Sequence, residues 1–225
     1  VIAQTIETIF LKQTILISGV NGFLGSHIAE KLILDGHMVI GLIRKNADSR
    51  RCIPYASKLT LLKMVEGFEE TVKKHKPTIV IHCAWGGVDA ASRNSEAIQH
   101  DNLIFTHQLL NLATACSAKR FIALGSQAEY GYLEKVAHEN QTLHPTDLYG
   151  KTKVKASELV RQICQSDQIN WYWLRLFAFY GPADSPQWLI PYTIDSLLKK
   201  KKAIEFGPCT QKYAYLYVKD LAAYI

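Results

Sequence analysis

The sequence predicts a doubly wound α/β fold, in which helices cover both faces of a parallel β-sheet. Short apolar runs typical of buried strands alternate with segments whose apolar residues recur at helical spacing. A glycine-rich turn joins the first strand to the first helix, and the two long loops, 84–97 and 125–148, follow strand ends. Because parallel strands are joined by long crossovers, usually helical, this alternation predicts a parallel sheet.

Each element follows from a local pattern. The apolar run within 14–18 predicts the first strand, and Leu24, Ile28 and Leu32 share one face of the first helix, 24–35. The same reasoning predicts strands at 38–43, 58–63, 78–83, 120–124, 170–176, 203–206 and 214–218, and helices at 68–75, 98–117, 149–165 and 189–200. Ligands of such sheets bind beyond the carboxyl ends of the strands, where the two long loops are expected.

Three glycines at a spacing of three follow the first strand. Gly19 permits a tight turn, Gly22 lets the backbone approach a pyrophosphate, and Gly25 lets the helix pack closely. Phe23 and Leu24 stand where the predicted helix 24–35 starts, and N–H groups there have no partner within the helix and suit phosphate oxygens. The segment therefore predicts a dinucleotide site, with an ordinary glycine turn as the alternative.

A tyrosine and a lysine, Tyr149 and Lys153, stand four residues apart, 23 residues after Ser126. Positions i and i+4 share one helix face, and an ammonium beside a phenol favours the phenolate. Free tyrosine titrates near 10, so a pKa near neutrality needs roughly 3 units, or about 4 kcal/mol. A tyrosine tuned in this way could exchange protons with an alcohol or a ketone.

The glycine spacing, Ser126, Tyr149 and Lys153 together resemble the extended short-chain dehydrogenase/reductase family. More narrowly they resemble its nucleotide-sugar epimerase, dehydratase and ketoreductase branch. Further segments resemble motifs of the same family, namely 80–84, 101–103, 174–182 and 213–220. The resemblance implies a Rossmann fold in which Tyr149 is the acid/base, Ser126 orients the reacting oxygen, and Lys153 lowers the Tyr149 pKa and binds the nicotinamide ribose.

The resemblance also implies the remaining parts of the site. The Ala84 backbone is expected to line the nicotinamide ribose, and Trp85, Gln127 and Tyr180 are expected to shape the sugar pocket. Residues 1–176 then form the NAD(P)-binding domain, and 177–225 begin an interwoven substrate-binding portion. Relatives usually run longer, so we expect this portion to be incomplete. A homodimer through the predicted helices 98–117 and 149–165 is a family expectation.

The end of the second strand decides the choice of cofactor. No acid stands where an NAD-specific protein binds the ribose 2′-hydroxyl; Arg44 and Lys45 stand there instead, and a guanidinium suits a 2′-phosphate. NADP(H) is therefore favoured, with NAD(H) as the alternative. The adenine-contacting aspartate that relatives carry after the third strand is also missing.

The residues after Ser126 separate the reactions of this branch. Dehydratases carry Asp-Glu there, whereas this chain has Gln127-Ala128, and Glu129 is one place out of register. We therefore predict NADPH-dependent reduction of a nucleotide-linked 4-keto-6-deoxy sugar, in deoxysugar synthesis for a surface polysaccharide. A nucleotide-sugar epimerase using NAD is the alternative, and a non-catalytic nucleotide-binding sensor or scaffold is a third reading.

Composition excludes several other classes. The net charge of +6 could indicate nucleic acid, but the basic run 199–202 ends a predicted helix, where cations complement the dipole. No apolar run is long enough for a membrane span, and residues 1–10 lack the features of a signal peptide. The five cysteines are scattered without a C-x-x-C, which predicts a reduced, cytoplasmic protein without a metal site. His82 is expected to be structural.

Overall fold

Six parallel strands form the central sheet of the structure, a computed structural model that describes residues 12–208, 210 and 212–225. The strands are β1 (Thr14–Ser18), β2 (Met38–Arg44), β3 (Leu59–Met64), β4 (Ile79–His82), β5 (Arg120–Ser126) and β6 (Asn170–Leu176). Their spatial order is β3-β2-β1-β4-β5-β6, and every neighbouring pair is parallel. The order reverses between β1 and β4, and this point opens a crevice for a ligand.

Helices cover both faces of the sheet, as predicted. They are α1 (Phe23–Leu34), α2 (Phe68–His75), α3 (Glu96–Ala115), α4 (Leu148–Ser166), α5 (Leu189–Leu198) and α6 (Val218–Tyr224), with short 3₁₀ segments at Arg50–Lys58 and Gln127–Glu129. Alternate residues of β1 face opposite layers: Ile15 and Ile17 pack with α1 and α6, whereas Leu16 packs with α2, α3 and α4. This double burial explains why β1 carries the consecutive apolar residues Ile15, Leu16 and Ile17.

The predicted doubly wound fold is confirmed, and most element bounds differ from the predicted ones by one or two residues. The predicted strand at 203–206 is wrong: these residues are mostly exposed and form no ladder. Instead β7 (Ala178–Tyr180) pairs in parallel with β8 (Tyr215–Tyr217) in a separate small sheet. A three-residue strand directly after β6 gives too short a pattern to be recognised from sequence.

The predictions about membrane spans, cysteines and metal sites are compared here with the part of the chain that the structure describes. No helix within the described residues is long and apolar enough to cross a membrane. In the same part of the chain Cys52, Cys83, Cys116 and Cys164 are unpaired, and His, Cys, Asp and Glu form no cluster that could hold a metal. The prediction about residues 1–10, like Cys209, lies outside the described residues.

Candidate active site

Ser126, Tyr149 and Lys153 meet where β5 ends and α4 begins. Ser126 is the last residue of β5, and Tyr149 is the second residue of α4. A Cβ on Gly150 would lie 2.5 Å from the Ala128 carbonyl oxygen, so only glycine lets the first turn of α4 approach this backbone so closely. Tyr149 consequently lies close to Ser126, and both residues line one cavity.

The ionisation of Tyr149 is set by opposing effects. Burial raises the pKa of the phenol, and the neighbouring Ser126 hydroxyl and the positive charge of Arg93 lower it. Burial is the largest of these effects, so the pKa of Tyr149 lies above its usual value. Because the phenol lies out of water, its burial opposes the lowering of this pKa that the sequence predicts.

Lys153 is almost completely buried, with 3% of the residue exposed. Its Nζ donates a 2.6 Å hydrogen bond to the Leu124 carbonyl oxygen and lies 3.5 Å from the centre of the Trp85 ring. The same nitrogen is 5.9 Å from the centre of the Tyr149 ring. Burial lowers the pKa of Lys153 to about 7, so this amine changes its charge near neutral pH.

Two buried amides on α3 hold the loop that follows β4. Gln99 accepts from Trp85 Nε1 and donates to the Arg93 carbonyl oxygen, each at 3.2 Å. Asn102 accepts from the Gly86 N–H at 2.8 Å and donates to its carbonyl oxygen at 2.9 Å. Trp85 and Arg93 are thereby fixed on the side of the site that faces Tyr149.

Arg93 lies beside Tyr149, although sequence reasoning did not single it out. Its Nη2 lies 2.7 Å from Asp147 Oδ2, and its guanidinium carbon lies 5.0 Å from the centre of the Tyr149 ring. Asp147 is the N-cap of α4 and accepts from the Gly150 N–H at 2.7 Å. The only sequence signal is an aspartate just before the predicted helix, which marks a cap but not its partner.

His82 is structural, and its hydrogen bonds fix its tautomer. Thr106 Oγ1 donates to the Asn102 carbonyl oxygen, so it accepts from His82 Nε2 at 3.0 Å. His82 Nδ1 then accepts from the Ser18 hydroxyl at 2.8 Å, and Ser18 Oγ accepts from the Ala84 N–H at 3.3 Å. Burial lowers the pKa of His82 to about 3, which keeps the ring neutral.

Glu129 is fully buried beneath the end of β5. Its carboxylate accepts from the Ser126 N–H at 2.7 Å, from Trp173 Nε1 at 3.0 Å and from Arg175 Nε at 2.8 Å. In the sequence Glu129 is one place out of register with the acids of dehydratases, and its buried position agrees with that offset. It supports the backbone of Ser126 from behind and is not exposed to a substrate.

A cavity of about 450 Å³ opens in front of Ser126 and Tyr149. Of the three residues predicted to shape the sugar pocket, Gln127 lines this cavity. Trp85 instead packs against Lys153, and Tyr180 lies in β7 with its ring 5.7 Å from that of Tyr217. Among the described residues that line the cavity, Asp147 is the one carboxylate, and it is paired with Arg93.

The glycine turn after β1 has the shape that a dinucleotide requires. Gly19 has a positive φ of 69°, and a Cβ there would lie 2.8 Å from the backbone of Ala84. A Cβ on Gly25 would lie 2.3 Å from the Gly19 carbonyl oxygen. α1 begins at Phe23 with Leu24 buried behind it, and its N-cap, Gly22, has no side chain with which to cap it. The first N–H groups of α1 therefore suit a pyrophosphate.

The end of β2 presents basic side chains, as predicted. Arg44 is the last residue of the strand, and Arg44 and Lys45 are both exposed. The next acid along the chain is Asp48, whose carboxylate accepts from the Arg50 N–H at 2.9 Å and from its Nε at 2.7 Å. Because Asp48 pairs with Arg50, the end of β2 keeps the positive charges of Arg44 and Lys45.

This sheet, with its glycine turn and its tyrosine–lysine helix, defines a protein of the extended short-chain dehydrogenase/reductase class. The family model described as the NAD dependent epimerase/dehydratase family matches residues 15–225. The chain therefore belongs to the NAD-dependent epimerase/dehydratase family, and the predicted family is confirmed.

Named relatives within the family differ in their reactions. The chain is 28% identical to dTDP-D-glucose 4,6-dehydratase of Dictyostelium discoideum, over 94% of this chain and 54% of the relative. It is 27% identical to CDP-abequose synthase of Salmonella typhimurium, over 94% of this chain and 68% of the relative. It therefore spans only about half to two thirds of these proteins.

A solved structure shows the same fold. UDP-glucuronic acid 4-epimerase of Bacillus cereus, in complex with UDP-glucuronic acid and NAD, superposes with a TM-score of 0.78 at 22% identity. The match covers 93% of this chain and 70% of that one.

Proposed function

We propose that this protein reduces a nucleotide-linked 4-keto-6-deoxy sugar with NADPH. The observation that carries the proposal is that Ser126 and Tyr149 line one cavity, which has no unpaired carboxylate among its described lining residues. Lys153 is buried behind them, with its Nζ 5.9 Å from the centre of the Tyr149 ring. Elimination of water needs an acid and a base beside the sugar, and Gln127 and Ala128 can be neither. A carbonyl reduction needs only one proton donor, which Tyr149 supplies.

Tyr149 and Ser126 have different roles in the proposed reduction. The nicotinamide cofactor, when bound, supplies or accepts a hydride. Tyr149 gives its phenolic proton to the carbonyl oxygen as the alcohol forms, and Ser126 donates a hydrogen bond that orients that oxygen. The tyrosinate left behind is stabilised by the positive charge of Arg93 and by protonated Lys153, until Tyr149 regains a proton from water.

The substrate class rests on the named relatives. Their names contain dTDP-, CDP- and UDP-linked sugars, so they share a nucleoside diphosphate joined to a sugar and differ in the base. We propose the shared part, a nucleoside-diphosphate sugar, as the substrate of this protein. The proposed pathway is deoxysugar synthesis for a surface polysaccharide in the cytoplasm, with the outer faces of α3 and α4 forming a homodimer.

Two observations bear on the cofactor and point in different directions. Arg44 and Lys45 at the end of β2 favour the 2′-phosphate of NADPH. The Bacillus cereus 4-epimerase was solved with NAD, which favours the second candidate function, a nucleotide-sugar 4-epimerase with a tightly held NAD. Both reactions use Tyr149 in the same way, since an epimerase oxidises an alcohol and then reduces the ketone.

One experiment separates the two candidates. The protein is mixed with NADPH and a nucleotide-linked 4-keto-6-deoxy sugar, and separately with UDP-glucose and NAD. A reductase consumes one NADPH for each sugar reduced and leaves UDP-glucose unchanged. An epimerase converts UDP-glucose into its 4-epimer without net consumption of cofactor, and that result would replace the reductase proposal.

A further inference from the structure

We propose that Arg93 is a positioning residue of the acid–base centre, whose guanidinium places a permanent positive charge beside Tyr149. Asp147, its partner, provides the opposing charge, so that the pair sets how readily Tyr149 releases its proton. This inference rests on the proposed function in one respect, namely that Tyr149 is the acid–base group.

The geometry makes Arg93 a direct neighbour of the phenol. Its guanidinium carbon lies 5.0 Å from the centre of the Tyr149 ring, and it lines the same cavity as Ser126 and Tyr149. Its Nε is buried and has no hydrogen-bond partner among the described residues. A charge that has lost part of its hydration acts more strongly on a neighbour than a charge in water.

The position of the charge is fixed from two sides. On the loop side, the Arg93 carbonyl oxygen accepts from Gln99 Nε2 at 3.2 Å. On the helix side, Nη2 lies 2.7 Å from Asp147, and the neighbouring Asn94 accepts from the Leu148 N–H at 2.9 Å. The β4–α3 loop is therefore fastened to the first turn of α4, which carries Tyr149.

Arg93 differs in kind from the other charged groups around Tyr149. Among the described residues these are Lys153 on the same helix, Glu129 after β5 and Asp147 at the helix cap, and Lys212 lines the same cavity. Lys153 has a pKa of about 7 and loses its charge as the pH rises above neutrality. Arginine stays protonated throughout the working range of an enzyme. Arg93 is thus a cation in contact with the Tyr149 ring that persists when Lys153 becomes neutral.

The test measures the ionisation of Tyr149 directly and needs no substrate. The 11 tyrosines are replaced by fluorotyrosine, and fluorine NMR follows each ring as the pH rises. The Tyr149 resonance is identified by its loss in the Tyr149→Phe variant. Its midpoint is then compared in the parent protein, in Arg93→Gln and in Asp147→Asn, while the other tyrosines act as internal controls.

The two variants break the same ion pair but remove opposite charges, and asparagine is still a good N-cap. Arg93→Gln should raise the Tyr149 midpoint by about one unit, and Asp147→Asn should lower it by about the same amount. Arg93→Lys should stay close to the parent. Midpoints that move in the same direction in both variants would show a loosened loop rather than a charge effect, and would overturn the proposal, as would unmoved midpoints.

The result is independent of the reaction assigned to the site. If the sugar reduction fails and the opposite shifts are found, Arg93 retains its role, and the proposed function alone is wrong. If the reduction is observed and Tyr149 does not shift, the function stands, and the assignment of Arg93 is wrong.

Discussion

The ammonium of Lys153 lies 3.5 Å from the centre of the Trp85 ring, in a position where the lysine is almost completely buried. Besides this contact with the aromatic face, the ammonium donates a hydrogen bond to the Leu124 carbonyl oxygen. A cation–π contact and one carbonyl replace only part of the water that a charged amine loses. The protein consequently carries an amine with a pKa of about 7 at its centre.

We predict that Lys153→Met changes how stability depends on pH. The unfolded lysine has a pKa near 10.5 and the folded one about 7, so in this window only the unfolded chain binds the proton. The free energy of unfolding of the parent protein therefore rises as the pH increases from 7 towards 10.5. Below pH 7 the fold carries the full cost of burying the charged amine. Relative to Lys153→Met, the parent should gain about 2 kcal/mol between pH 7 and about pH 9.

Urea denaturation at several pH values measures this difference. Lys151→Met is the matched control, because Lys151 lies on the same helix but is exposed. Its stability should run parallel to that of the parent across the pH range. Parallel curves for Lys153→Met as well would mean that Lys153 is not desolvated as described.

The neutral His82 should make the fold sensitive to acid. Its pKa falls from about 6.5 in the unfolded chain to about 3 in the fold, so its contribution is present above 6.5 and is lost as the pH drops towards 3. Between pH 6.5 and about pH 5, the parent should lose about 2 kcal/mol relative to His82→Gln. Denaturant titrations at several pH values measure the unfolding free energies, and His100→Gln is the control because His100 is exposed. If the difference between the parent and His82→Gln did not change with pH, burial of a neutral His82 would be refuted.

The ion pair between Glu129 and Arg175 is expected to be structural. Glu129→Gln leaves Arg175 without its carboxylate and should cost about 2 kcal/mol of unfolding free energy. Adding Arg175→Met should recover part of that loss, because no unpaired charge then remains. Strictly additive losses in this double-mutant cycle would show that the two residues do not depend on each other.

Arg44 should determine the choice between the two cofactors. Arg44→Ala is expected to weaken NADPH binding about tenfold, the value of one hydrogen bond to a charged group, and to leave NADH binding unchanged. Fluorescence titration measures both affinities. Arg120→Ala removes an equal charge from the amino end of β5 and should change neither. NADH bound as tightly as NADPH by the parent would favour the epimerase.

The features of the fold that were predicted correctly from the sequence are those that short segments encode. Apolar periodicity predicted the strands and helices, and the fixed spacings of Gly19 to Gly25 and of Tyr149 to Lys153 marked the two halves of the centre. Sequence reasoning could not find Arg93, because its partner Asp147 lies 54 positions away and only the fold joins them. The raised pKa of Tyr149 was missed for a similar reason, since burial of the phenol depends on packing that no single segment shows.

The most direct test of the proposed reduction is the absorbance of the reduced nicotinamide when the protein, NADPH and a nucleotide-linked 4-keto sugar are mixed, with Tyr149→Phe beside the parent. We expect the parent to oxidise NADPH, the variant to do so about 10²–10⁴-fold more slowly, and both to bind NADPH with equal affinity. A variant as fast as the parent would contradict the role of Tyr149. If the parent binds NADPH but oxidises it with none of these sugars, the result would favour a nucleotide-binding scaffold.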